Sequence, residues 1–192
     1  MRLFAAAGTN ITDGSERSID MKTDIIVIDE TGKGIETALL QAEQAARYRG
    51  LNEKNSLQLQ IMTEEIMGLA RGITGETTAD FWLESEGTAF SLHLTTRTKM
   101  DASKRYLLMY SSTSGKNEAA KGFIGFLRDK FENALLAESD GVYYDFNSRA
   151  RDEAPQDEEW DRYERSILRK LADEIRIGVK GGLVEIEVRK TF

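Results

Sequence analysis

Three stretches of this sequence carry side chains able to do chemistry. The first is Met62-Thr63-Glu64-Glu65-Ile66-Met67-Gly68-Leu69-Ala70, where two adjacent acids interrupt an apolar run. On a helix, Glu65 lies about 60° from Met62, at the flank of the apolar stripe, while Glu64 points nearly opposite. A carboxylate at the rim of a pocket can act as a general base. Glu65 is therefore the first candidate catalytic residue and Glu64 the second, with two solvated glutamates as the plain alternative. The second stretch is the hydroxyl-rich loop Ser111–Asn117, SSTSGKN, which runs straight into a helix. Loop amides ahead of a helix N-terminus attract anions, so Ser114, Gly115, Lys116 and Asn117 are candidate phosphate contacts. The stretch is not a Walker A loop, because Tyr110 stands where the first glycine belongs and Asn117 follows the lysine. Its alternative is an ordinary helix cap with a solvated lysine. The third is the sole histidine, His93, on the opposite strand face from Leu92 and Leu94. One histidine cannot build a multi-histidine metal site, and His93 reads as a surface or structural residue.

The elements that position these residues follow from periodicity. Ile19, Met21, Thr23, Ile25 and Val27 alternate with Asp20, Lys22, Asp24 and Ile26, which predicts a half-buried strand. A helix follows, with Ile35, Leu39, Ala42 and Ala46 inward and Gly50 at its end. A second helix, capped at Asn55 or Ser56, runs to Thr74 with Leu59, Met62, Ile66, Leu69 and Ile73 at helical spacing. The runs 79–85 and 88–98, joined at Glu86-Gly87, predict a hairpin with Phe81, Leu83, Phe90, Leu92 and Leu94 on its apolar face. Asp101 caps a short helix over 101–110. Ala120, Phe123, Leu127, Phe131 and Leu135 outline another helix, and 138–156, with the only proline, forms a polar surface excursion. Trp160, Tyr163, Ile167 and Leu171 mark a last helix, and the alternating runs around Gly181-Gly182 a last hairpin.

Composition sets the class. A chain of 192 residues, 40% hydrophobic and 31% charged, is long enough for one well-buried core and too apolar for disorder. With no cysteine there is neither a disulfide framework nor thiolate chemistry. The N-terminal MRLFAAAG lacks the length and cleavage pattern of a secretory signal, and no run reaches the roughly 20 apolar residues of a bilayer-spanning helix. A net charge of -7 opposes binding to nucleic acid. The expectation is a single cytoplasmic α+β domain over residues 1–192, a two-layer sandwich of long helices on one face of a mixed or antiparallel sheet.

The order of strand, helix, long helix reading IMTEEIMGLA, hairpin, glycine-containing helix and terminal hairpin ending VEIEVRKTF resembles the histidine-kinase-like ATPases (the GHKL or Bergerat fold). Within that family it looks like the small anti-sigma-factor kinases. The similarity covers most of 18–137 and resumes at 158–192. It implies ATP and magnesium as cofactors, with an acid on the long helix activating water or a hydroxyl and an asparagine four residues later holding the metal. Here Gly68 follows Glu64 and Leu69 follows Glu65 at that spacing, and neither offers a cation an oxygen side chain. The family's Asp-x-Gly-x-Gly adenine motif corresponds to LTTRTKMDASKR, which has no glycine; Thr96 or Asp101 falls nearest the adenine position. The phosphate-covering glycines are echoed by Gly115, Gly122 and Gly125.

Three functions follow as expectations. The first is a degenerate member of this family that binds a regulatory protein partner, as anti-sigma factors do, with weak or lost ATP binding and homodimerisation in its repertoire. The second is an active ATP-dependent Ser/Thr kinase or ATPase using Glu65 and the 111–117 loop. The third is an unrelated α+β module binding a small anion through Lys116.

Overall fold

The computed structural model describes residues 20–29, 31–75, 78–120, 128, 132 and 167–192. Six strands, β1 (Met21–Lys22), β2 (Ile26–Ile28), β3 (Ala79–Glu86), β4 (Ala89–Arg97), β5 (Glu174–Lys180) and β6 (Leu183–Thr191), make one antiparallel sheet. Its order is β1-β3-β4-β6-β5, with β2 also paired to β3. β1 and β2 thus share one margin and β5 forms the other. Every named strand pair is antiparallel; the only parallel contact among the described residues is an isolated bridge from Asn117 to Ile177. The sheet is therefore antiparallel rather than mixed.

The inward faces of the hairpin strands are those their alternation predicts. Phe81, Leu83, Phe90, Leu92 and Leu94 are buried, as are Ile175, Ile177, Val179, Val184, Ile186 and Val188. The first strand differs from expectation. Met21 lies opposite Ser85 and Lys22 opposite Glu84, but Ile26 lies opposite Phe81. Three residues on the margin strand thus face two on β3, which is a β-bulge. Thr23 anchors it: its N–H donates to the Leu83 carbonyl at 2.9 Å, and its hydroxyl accepts from the Leu83 N–H at 2.9 Å. The extra residue reverses the alternation, because a slip of one residue turns every later side chain over. Ile28 is buried, whereas Ile25 and Val27, expected inside, are exposed.

Helices α1 (Ile35–Tyr48), α2 (Glu53–Thr74), α3 (Ala102–Ser111) and α4 (Ile167–Leu171) supply the other half of the core. α1 buries Ala38, Ala42, Ala45 and Ala46, so it meets α2 through methyl groups. α2 starts one turn earlier than predicted, because Asn52 caps it by accepting from the Asn55 N–H at 2.9 Å. Leu59, Met62 and Ile66 are fully buried along it. Each contributes about 1.5–3 kcal/mol by leaving water, so packing rather than helix propensity holds α2. Asp101 caps α3 as expected, accepting from the Lys104 N–H at 2.7 Å.

Gly34, at the start of α1, has φ +101, and a Cβ there would stand 2.4 Å from the Val27 carbonyl oxygen. Only glycine lets the helix begin so close to β2. Of the remaining predicted elements, most of the helix through Phe123 and Leu135, the excursion at 138–156, Trp160, Tyr163 and Ile19 lie outside the described residues.

Candidate functional site

Where α2 passes the β2 margin of the sheet, a cleft of about 220 Å³ opens between them. Its polar rim is Asp29, Glu64, Arg71 and Thr96, Gly68 leaves a gap in the helix wall, and Met67 and Leu94 form part of its apolar floor. Asp29 ends β2 in a tight turn, accepting on one oxygen from the Thr31 N–H (2.9 Å), the Thr31 hydroxyl (2.6 Å) and the Lys33 N–H (3.0 Å). The Thr31 hydrogen bond, foremost among these, holds its carboxyl below the usual range, so Asp29 is a fixed anion. The Thr96 hydroxyl is committed to the Thr78 carbonyl at 3.0 Å. Arg71 lies two turns along α2 from Glu64, so the rim places a cation beside two carboxylates.

Three sequence candidates therefore meet in this cleft: Glu64, Gly68 and Thr96. Of the two acids, Glu64 lines the hollow and Glu65 is not among its lining residues. Glu65 is half-buried, and burial, followed by the repulsion of Glu64, raises its pKa above the ordinary glutamate value. Leu69 is packed in the core. At the spacing where a metal-holding asparagine would stand after Glu64, the cleft wall has only the backbone of Gly68. No group of three or more His, Cys, Asp or Glu side chains among the described residues can hold a metal ion.

The remaining candidates lie elsewhere. Asp101 is used as the α3 cap. The loop from Ser112 to Asn117 runs along β5, at the opposite margin of the sheet from β2. Thr113 donates its N–H to the Ile175 carbonyl (2.8 Å) and accepts the Ile175 N–H on its hydroxyl (2.6 Å). The Asn117 amide donates to the Val179 carbonyl (2.9 Å), while its oxygen accepts from the N–H groups of Val179 (2.8 Å) and Ala119 (3.1 Å). The Lys116 N–H turns back to the Ser114 hydroxyl at 3.2 Å, and the Ala120 N–H to the Asn117 carbonyl at 3.0 Å. The Thr113 amide and the Asn117 side chain bind the loop to the strand, the Lys116 amide bonds within the loop, and the loop is not part of the Glu64 cleft. Gly122 lies outside the described residues.

His93 faces away from the helices. Its ring stacks on Trp82 with centroids 4.9 Å apart and planes 5° apart. Its Nε2 stands 3.3 Å from Glu84 Oε2, close enough for charge attraction when protonated but without hydrogen-bond geometry. Burial lowers the histidine pKa, and the attraction of Glu84 and Glu187 only partly offsets that. A second cleft, of about 260 Å³, lies on this outer face beside the stacked pair.

Sequence reasoning did not single out Asp29 or Arg71. Arg71 carries a signal that would have found it, since seven residues on from Glu64 it returns to the same helix face. Asp29 does not, because its place depends on the bulge that sets where β2 ends.

Among the described residues no helix is long and apolar enough to cross a membrane. No known family model matches this sequence, and no curated protein does either.

Proposed function

We propose that the chain is a regulatory, protein-binding module built on a histidine-kinase-like ATPase fold, similar to anti-sigma factors, in which ATP binding is weak or lost. One observation carries this reading: the α2 cleft keeps an acid at its rim but presents no side-chain oxygen four residues further on. Magnesium prefers octahedral oxygen ligands and usually reaches a nucleotide site through one or two carboxylates plus phosphates. Glu64 alone, beside an already engaged Asp29, is a poor start for that shell. The volume of about 220 Å³ also falls short of the roughly 300–1,000 Å³ typical of ligand pockets.

Isothermal titration of the whole protein with ATP, with and without magnesium, tests the reading. The expected result is no saturable heat at micromolar nucleotide. Tight, magnesium-dependent binding would overturn it. That result would favour the second reading, an ATP-dependent Ser/Thr kinase or ATPase, for which the approach of Glu64 and Arg71 to one rim speaks. In that case Glu64, rather than Glu65, acts as the base. An anion-binding module using Lys116 has less support, because the Lys116 amide is bonded to Ser114 and the Asn117 side chain is engaged with Val179.

A further inference from the structure

On the outer face of the sheet, β3 presents Trp82 and Glu84, β4 presents His93 and Thr95, β6 presents Glu185 and Glu187, and β5 presents Arg176 and Gly178. The bulge in the first strand adds Ile25 and Val27 to this face at its margin, 59% and 58% exposed. Val27 lies opposite Asp80, next but one along β3 to the half-buried Trp82, over whose ring Lys22 lies at 5.1 Å while paired to Glu84. An apolar strip therefore adjoins the cleft of about 260 Å³ whose walls include Trp82, His93, Glu118, Glu185 and Glu187.

The net charge of that cleft is negative. Three carboxylates line it against a single guanidinium, Arg176, which is held by Glu174 at 2.8 Å. Glu187 is engaged by Arg189 at 2.6 Å, while Glu185 is exposed and makes no ion pair among the described residues. Gly178 provides the room: a Cβ there would touch Glu185 Oε2 at 3.4 Å and the Ala119 side chain at 3.6 Å. His93, neutral at physiological pH, adds no positive charge.

We propose that this outer face docks a basic amphipathic segment of a protein partner. Its aliphatic residues cover Ile25, Val27 and Trp82, and a lysine or arginine enters the cleft against Glu185. Apolar contact supplies the affinity, and the complementary charge sets register and selects against acidic partners. A second copy of this chain would bring the same carboxylates against each other in a molecule of net charge -7.

The inference rests on the protein-binding reading and is tested separately from it. A displayed random-peptide library is panned on the whole protein, and the enriched peptides are synthesised and titrated by fluorescence anisotropy. Enriched sequences should combine Lys or Arg with aliphatic residues. Glu185→Lys and Val27→Lys, both at exposed positions, should each weaken binding about tenfold or more. Glu43→Lys, the same charge change on α1, should leave it within about twofold. Acidic or neutral enriched peptides, no enrichment, or equal affinity for all variants would overturn the proposal. So would sedimentation as a dimer that Glu185→Lys dissociates, because the face would then be occupied by a second copy. Each of these failures leaves the ATP titration, and the reading it tests, untouched.

Discussion

Replacing Asn117 by alanine removes the clasp that binds the 112–117 loop to β5. The side chain makes three hydrogen bonds to backbone groups, two with Val179, which is 1% exposed. Water cannot readily replace Asn117 there, so the Val179 N–H is left buried without a partner. That penalty is about 1–3 kcal/mol, and the lost bond to the Val179 carbonyl adds about 0.5–1.5 kcal/mol. With the Ala119 bond partly replaced by solvent, the substitution should destabilise the fold by about 3 kcal/mol. For a chain of this length that lowers Tm by about 6–12 °C. Denaturant unfolding measures the free energy, and hydrogen exchange at the Val179 amide should accelerate in parallel. Lys116→Ala, one residue away and exposed, should change stability by less than about 0.5 kcal/mol. A loss below about 1 kcal/mol in Asn117→Ala, or unchanged exchange at Val179, would refute the assignment of this loop as a clasp.

Two further outcomes follow from local geometry. Gly34→Ala must adopt a left-handed backbone and place its methyl 2.4 Å from the Val27 carbonyl, so it should cost about 3 kcal/mol or more; a Tm within about 2 °C of the parent would contradict this. For His93 the folded pKa is depressed, so the unfolded chain binds more protons as pH falls below the ordinary histidine value of about 6.5. Stability is thus fully present above that pH and is lost as pH falls through the folded pKa. Thermal melts at about pH 7.5 and about pH 5.5 should show a larger decline for the parent than for His93→Phe; equal declines would remove the linkage.

The sequence made the long helix and both hairpins legible because their signals are local. Leu59, Met62, Ile66 and Leu69 repeat at helical spacing, and Glu86-Gly87 and Gly181-Gly182 separate alternating runs. The first strand was misread because a bulge leaves no mark in alternation: Thr23 uses its hydroxyl on the Leu83 amide, and only the pairing partner reveals the extra residue. Which of Glu64 and Glu65 meets the cleft depends on where β2 and its turn stand beside α2, which the periodicity of α2 does not encode. Taking Met62 as the centre of the buried stripe ignores Thr63, Met67 and Ala70, all buried. With those included the stripe is wider, yet Glu65 is still the nearer of the two acids to its border, half-buried where Glu64 is exposed. The 111–117 loop was open to an anion reading because a hydroxyl-rich segment before a helix looks the same whether its groups await a ligand or hold a neighbouring strand.

The two margins of the sheet are finished by different devices, and together they bear on how the molecule behaves in crowded solution. An unpaired strand edge is a template on which another chain can add and propagate. Here the bulge at Thr23 distorts one edge, and the side chains of Thr113 and Asn117 occupy the backbone groups of the other. Among the described residues neither border is both straight and vacant, which disfavours ribbon-like growth of one copy onto the next and leaves contacts between molecules to the broad faces.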